Sequence, residues 1–487
     1  MALRTPEQYK AALRALRPNV YKFGELITDV TTHPVTRRTI DGHARLFAAS
    51  QDEKECDLVS THSDLIDAPA SRYLSLLRTP EDVVAVCKMK RWAFHQTGTC
   101  TGGRCVGGNA VNAMWATTFD VDQKRGTKYQ ERLRQWLMDA QRRDITCCGA
   151  LTDPKGDRSK SPSQQADPDM NLHVVERRPG GVVVRGAKVM IAGAAAAEEI
   201  FVLPGTACRK GEEDWAIAFT IPRDVEGLTI VEARRPSDSR ESESGYDVPA
   251  GTGGITQGYL LFDNVFVPDE RIFLNGEAEF TGPSVLNFIM PYRAAIGGCV
   301  AGQGDAKIGA AILAARANGL SSKVFKDKLT QMQINNETTY GVGIAAATLG
   351  KLHPSGVWVP DPVMANVNKV YVATLPYETS RLAQEIAGGI AETGCMPSSI
   401  DLESEEYGDQ LKRYLGAAVD GETRYRVARL VEWLTIGAGV PGCMHGGGSP
   451  DGAKLVIRSK SDWEGSAELA RKLAGIDKAP PEPEATR

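Results

Sequence analysis

The hydrophobic period changes twice along this chain of 487 residues, and that double change limits the fold more than any single motif. Up to about residue 144 apolar residues recur at helical spacing. From about Ile145 to Ile272 they alternate with polar ones, and from about Gly282 to Gly475 helical spacing returns. Thr5-Pro-Glu-Gln sets a capping residue before a proline at the first helical position, with Tyr9, Leu13 and Leu16 on one face. Thr79-Pro-Glu-Asp does the same ahead of Val83, Val84, Val86, Cys87, Met89 and Trp92, and this second helix runs toward Cys100. Gly98, Gly102, Gly103, Gly107 and Gly108 surround Cys100 and Cys105 and predict a loosened turn there. Helix is expected to resume over 110–118 and again over 128–143.

In the middle region, Leu172 to Lys188 reads as two strands around a Pro179-Gly-Gly hairpin, and further strands are expected at 199–203, 215–221, 228–231 and 259–267. Beyond it, apolar-periodic segments at 306–317, 323–349, 362–388 and 423–436 predict a bundle of long helices. The expected organisation is a helical domain over 1–144, a β domain over 145–275 and a helical bundle over 276–476. A proline- and charge-rich tail over 477–487 is expected to be disordered.

A net charge of -4 and a pI near 6.1 give no electrostatic reason to expect nucleic acid or an anionic membrane as partner, so the expected partner is a small-molecule substrate. No run reaches the roughly 18 consecutive apolar residues of a membrane span, and the first residues lack the apolar core of a signal peptide. A cytoplasmic location is expected. In that setting the ten cysteines (Cys56, Cys87, Cys100, Cys105, Cys147, Cys148, Cys208, Cys299, Cys395 and Cys443) read as buried thiols or metal ligands, not as a disulfide framework.

Five segments carry a specific resemblance: Asp122-Gln-Lys-Arg-Gly-Thr-Lys-Tyr, Leu151-Thr-Asp-Pro-Lys-Gly-Asp-Arg, Phe262-Asp-Asn-Val-Phe-Val-Pro, Gly297-Gly-Cys-Val-Ala-Gly-Gln-Gly-Asp and Met444-His-Gly-Gly-Gly-Ser-Pro. On them the chain resembles the family of 4-hydroxyphenylacetate 3-hydroxylases and 4-hydroxybutyryl-CoA dehydratases, and it stands closer to the dehydratase branch. The resemblance implies an acyl-CoA dehydrogenase-like α+β multidomain fold: an N-terminal helical domain, a middle β-barrel and a C-terminal bundle. It also implies FAD and a homotetramer. It assigns Thr152, Asp153, Lys155 and Arg158 to a flavin-site loop, Gln384, Gly388 and Gly389 to the flavin pyrophosphate, commonly of a neighbouring subunit, and Gly446 and Gly447 after His445 to the cofactor's vicinity. Read locally, Asp153-Pro-Lys-Gly is also a good β-turn, and Gly388-Gly389 also closes a helix.

The dehydratase branch holds a four-iron four-sulfur cluster with three cysteines and one histidine, and the resemblance places Cys100, Cys105 and Cys299 at the cysteine positions. Gly297-Gly-Cys299 is expected to form the turn on the cluster's side. The chain departs from the pattern in several places. The first cysteine pair is one residue wider, as Cys100-Thr-Gly-Gly-Arg-Cys105, and Tyr292 stands where the histidine is expected. Gln257 replaces an acidic residue, while Ile296 and Val300 replace a tyrosine and a lysine. An amide and two apolar side chains cannot abstract protons. Tyr292, His445 and Gln257 are therefore the candidate catalytic residues, with Arg104 and Arg293 as the cations nearby. The expected chemistry is a diverged dehydratase or isomerase-type reaction on an acyl thioester or related compound. The alternatives are a reduced-flavin monooxygenase acting on an aromatic or other small substrate, and an inactive flavin-binding paralogue.

Overall fold

The computed structural model describes residues 3–100, 102–234, 256–393, 396–436 and 446–477. The N-terminal part comprises α1 (Pro6–Ala15), β1 (Val20–Lys22), β2 (Glu25–Ile27), α2 (Pro34–Ala49), α3 (Cys56–Val59), the hairpin β3 (Ser60–Ser63) and β4 (Ala68–Ser71), α4 (Pro80–Thr97), α5 (Arg104–Arg125) and α6 (Tyr129–Arg143). Both expected caps form. Thr5 and Thr79 each accept a hydrogen bond from the third helical residue, and that residue's side chain returns the bond. The helix after the cysteines starts earlier than its apolar pattern suggests, so Cys105 lies in the first turn of α5 and not on a loosened turn. Gly107 and Gly108 are helical because other backbones press on them. A Cβ at Gly107 would overlap the carbonyl of Cys147, and one at Gly108 would lie 2.7 Å from the carbonyl oxygen of Tyr73.

The middle comprises β5 (Cys147–Ala150), β6 (His173–Arg178), β7 (Gly181–Ala192), β8 (Glu199–Val202), β9 (Ile217–Pro222), β10 (Leu228–Glu232), β11 (Gln257–Pro268) and β12 (Ile272–Asn275). They form a six-stranded sheet ordered β2-β1-β10-β11-β7-β6 and a four-stranded sheet ordered β12-β9-β8-β5. Both sheets contribute to one core that includes Val182, Val184 and Ile230 from the first and Ile200, Val202 and Phe219 from the second. The N-terminal region is thus not purely helical. Val20 and Tyr21 pair in parallel with Ile230 and Val231, so β1 and β2 extend the middle sheet.

The C-terminal part is built on α7 (Thr281–Ala317), with α8 (Lys323–Thr348), the short pair β13 (Lys351–Leu352) and β14 (Trp358–Val359), α9 (Pro362–Val372), α10 (Leu375–Ala387), α11 (Gly389–Glu392), α12 (Gly408–Leu415), α13 (Gly421–Thr435), α14 (Pro450–Lys460) and α15 (Trp463–Leu473). Helix α7 runs unbroken for 37 residues, with Pro291 and Gly297-Gly298 inside it. The expected turn at Gly297-Gly-Cys299 is therefore a mid-helix segment. It is long and apolar enough to pass as a membrane span, but 78% of its most apolar window is buried in the protein, where it packs against α4, α5, α8, α9, α10 and α13. Gly388, at φ +78°, closes α10, and Pro376 stands at the start of that helix, so the single segment expected at 362–388 is two helices. The tail from 478 onward lies outside the described residues.

Candidate active site

Glycines let α7 receive its neighbours at backbone distance. A Cβ at Gly298 would overlap the carbonyl of Cys87 on α4, one at Gly302 would lie 2.5 Å from Cβ of Phe94, and one at Gly297 would lie 2.6 Å from the carbonyl oxygen of Thr339 on α8. Glycine in a helix interior costs about 1 kcal/mol relative to alanine, and close packing of this kind offsets that cost. The approach is locked at its polar edge. Arg91 donates two hydrogen bonds to Asp305 (2.8 and 2.7 Å) and two to Glu337 (3.2 and 2.7 Å), while His95 Nε2 lies 2.7 Å and Asn336 Nδ2 2.9 Å from the same Asp305 carboxylate. Burial alone would raise the Asp305 pKa, but the bonds from Arg91 and His95 outweigh it and hold the carboxyl below its ordinary value.

This packing brings together Cys100, Tyr292, Ile296, Cys299, Val300 and Val372 in one buried cluster, with Cys105 reaching the same point from the start of α5. Cys100 lies beside the thiols of Cys105 and Cys299; their proximity, with burial added, pushes its thiol well above the usual range. The neighbouring Cys100 thiol pulls Cys105 down, against burial, and the ammonium of Lys90 acts in the same direction. Burial, followed by the charge of the neighbouring thiols, pushes the Tyr292 phenol well up, so it stays protonated. Tyr292 stacks on Phe288 at 5.7 Å between ring centroids. The glycine loop expected near the cofactor is at this site: a Cβ at Gly447, whose φ is +72°, would lie 2.6 Å from the Tyr292 ring. Arg293 donates to the Gly447 carbonyl at 3.1 and 2.8 Å and also bonds Asn366, which fixes the loop. Gly446 is half-buried beside it, and His445 lies outside the described residues.

Gln257 approaches from the β side. It pairs with Ala192 at the end of β7, and the Ala192–Gly193 backbone is packed on Gly102 and Gly103 in the cysteine loop. The hydroxyls of Thr99 and Thr256, next to Cys100 and Gln257, are buried without a partner. Arg104 points elsewhere. Its guanidinium lies over the rings of Phe47 (4.6 Å) and Tyr73 (5.5 Å) and donates to Ser71, so it stands behind the cysteine loop and is not a substrate-facing cation.

The flavin-loop residues form a second site. Asp153 lines a small recess with Lys188, Gly205, Thr206, Cys208 and Trp215. Lys188, almost wholly buried, pairs with Asp153 at 2.7 Å and donates to the carbonyls of Leu151 (3.1 Å) and Leu203 (2.8 Å). Thr152 is half-buried, its carbonyl accepting from Val189, while Lys155 and Arg158 are exposed without an ion-pair partner among the described residues. Trp215 Nε1 is buried and unpartnered at the cavity wall. Lys188 and Trp215 escaped the sequence reading; a lysine inside an otherwise apolar strand, Val182 to Ala192, was the available signal. Lys188 and Ala192 are four residues apart on β7, about 13 Å along the strand, which sets the spacing of the two sites. Gln384, Gly388 and Gly389 join neither site. They lie where α10, which packs on α7, α8 and α13, gives way to α11, and a Cβ at Gly388 would meet nothing within 4 Å.

The order and packing of the three parts define an acyl-CoA dehydrogenase-like α+β protein. The chain belongs to the 4-hydroxyphenylacetate 3-hydroxylase family, whose N-terminal model matches residues 5–274 and whose C-terminal model matches residues 285–475. It is 39% identical to the 4-hydroxybutyryl-CoA dehydratase/vinylacetyl-CoA-Delta-isomerase of Clostridium aminobutyricum, across 97% of this chain and 100% of that protein. Identity to the oxygenase component of the 4-hydroxyphenylacetate 3-monooxygenase of Thermus thermophilus is 28%, across 89% and 88%. Among solved structures, an oxygen-tolerant archaeal 4-hydroxybutyryl-CoA dehydratase from N. maritimus superposes with a TM-score of 0.94 at 36% identity, covering 100% of this chain and 97% of that one. The oxygenase component of a 4-hydroxyphenylacetate 3-monooxygenase in complex with FAD shares the fold, with a TM-score of 0.85 at 23% identity over 96% and 98%.

Proposed function

We propose that the chain is a cytoplasmic, homotetrameric, FAD-dependent enzyme of the dehydratase or isomerase type, acting on an acyl thioester or a related small carbonyl compound. The observation that carries this reading is the convergence of Cys100, Cys105 and Cys299 beside Tyr292, with the cysteine loop packed on the end of β7 where Gln257 pairs. Two groups fit the residues present. Trp215 Nε1, unpartnered at a cavity lined by Asp153, Lys188 and Gly205, suits a flavin edge with hydrogen-bonding atoms. Among the described residues no three His, Cys, Asp or Glu side chains close on a single metal ion. A four-iron cluster takes one thiolate per iron, and that is the group whose chemistry the cysteine trio matches. Cys100, Cys105 and Cys299 would hold three corners, leaving the fourth without an imidazole. The empty space before Gly388 and the exposed Gly389 support contact with a second copy, as the tetramer requires.

When bound, the flavin supplies the electron and hydrogen transfers that side chains cannot, and the cluster supplies an iron that polarises oxygen. The chain's own residues bind and orient. The Tyr292 phenol, kept protonated by burial, donates a hydrogen bond to a substrate oxygen. Gln257 offers an amide donor and acceptor but carries no proton to the substrate. Ile296, Val300 and Val372 exclude water from the reacting end. The replacement of proton-carrying groups by Ile296 and Val300 supports a reaction different from that of the dehydratase relatives.

The test is anaerobic purification followed by iron and sulfide analysis, a visible spectrum, and turnover of acyl-CoA substrates. About four irons per subunit is the expected content. Tyr292→Phe is expected to keep its iron and flavin and lose about 10²-fold in turnover. One observation, the phenol in place of an imidazole ligand, favours a second reading, a reduced-flavin monooxygenase. Iron-free protein that consumes oxygen with reduced flavin would replace the first reading by this one.

A further inference from the structure

Lys90 stands at the thiol site on α4, one turn from Cys87 and one from Phe94, and is only 3% exposed. The close approach of α4 to α7 at Gly298 and Gly302 carries it inward, and its ammonium lies 5.4 Å from the centroid of the Tyr292 ring. The ionisable groups that act on it include Cys87 on its own helix, Cys105 on α5, Cys299 and Tyr292 on α7, and Tyr73 before α4. None of these is a carboxylate. Asp305, the acid on the α4–α7 contact, is engaged by Arg91 and His95.

An ammonium taken out of water without an anion is destabilised by several kcal/mol, more than a contact with an aromatic face returns. Neutral thiols and phenols do not make up the difference. We propose that Lys90 is the counter-cation of a negatively charged group held by Cys100, Cys105 and Cys299, a positioning residue that sets the charge of that site. Resting on the cluster reading above, the charges balance: three thiolates on a doubly positive four-iron core leave one negative charge, opposite one ammonium.

The experiment compares wild type with Lys90→Met and Lys90→Arg. In the anaerobic holoenzyme, a redox titration of the iron chromophore is expected to place Lys90→Met at a lower midpoint, because adding an electron loses its stabilising cation, with Lys90→Arg close to wild type. In protein stripped of iron, the thiolate absorption band at neutral pH is expected in wild type and Lys90→Arg and reduced in Lys90→Met. A folded Lys90→Met that matches wild type in both measurements overturns the proposal. If wild type holds no iron, the cluster reading fails and the thiolate band alone decides the role of Lys90. If Lys90→Met does not fold, Lys90→Met combined with Cys105→Ser is expected to regain the fold, since anion and cation are removed together; equal failure of the double variant overturns the proposal.

Discussion

Around Tyr292 the backbones of α4, α7 and α8 come together over glycines, and the side chains that matter are thiols, one phenol and one lysine. Beside Asp153 the opposite holds. There a buried lysine and a carboxylate pair directly at the edge of a recess, and side-chain polarity, not backbone proximity, holds the walls. The first site tolerates no added volume, and the second tolerates no unpaired charge. The sites therefore respond to different substitutions, even though both depend on β7.

The largest effect is expected at the polar cavity. Lys188→Met leaves the Asp153 carboxylate buried without its partner and is expected to cost about 3–5 kcal/mol, read as a lower denaturation midpoint. Adding Asp153→Asn to that variant is expected to recover most of the loss. A double variant as unstable as the single one would mean that Lys188 acts through its bonds to the Leu151 and Leu203 carbonyls and not through the ion pair.

Next in size is a pH effect beneath the cysteine loop. His43 is 2% exposed, and burial, followed by the nearby Arg104 cation, lowers its pKa to about 3. Unfolded, the imidazole titrates near 6.5. Above that pH neither state binds the proton. As the pH falls from about 6.5 toward 3 the unfolded state gains it first, and stability is lost. Between pH 7 and pH 4 this group is expected to remove about 3 kcal/mol, and His43→Phe is expected to flatten the midpoint-against-pH curve by that amount. Parallel curves for the two proteins would show that the loop does not keep His43 neutral.

The order of helical and β regions, both helix caps and the Pro179 hairpin were legible because each rests on local spacing or turn chemistry. The convergence of Cys100, Cys105 and Cys299 was legible only through the family segments, since nothing local joins positions so far apart in the chain. What misled was glycine. Gly107, Gly108, Gly297 and Gly298 read as breakers, because their reason for being helical is a backbone from another element pressed against them. Strands β1 and β2, three residues each, are too short to show a period. Lys90 was hidden in Met89-Lys-Arg-Trp92, where its neighbour Arg91 reaches a surface ion pair while Lys90 turns inward.

The smallest effect tests the backbone-contact site directly, by comparing two glycines of the same helix. Gly298→Ala gains helix propensity but pushes a methyl into the Cys87 carbonyl on α4, and is expected to cost a net of about 1–3 kcal/mol. A cluster-loaded protein is also expected to lose iron, because α4 and α7 separate where Cys299 sits. Gly309→Ala places its methyl where nothing lies within 4 Å, and is expected to gain up to about 1 kcal/mol from propensity alone, with iron unchanged. Denaturation midpoints for the pair separate contact from propensity, since both substitutions make the same chemical change in α7. If the two variants shift in the same direction, Gly298 serves only as a helix residue, and the close approach of α4 is held by the Arg91–Asp305 bonds instead.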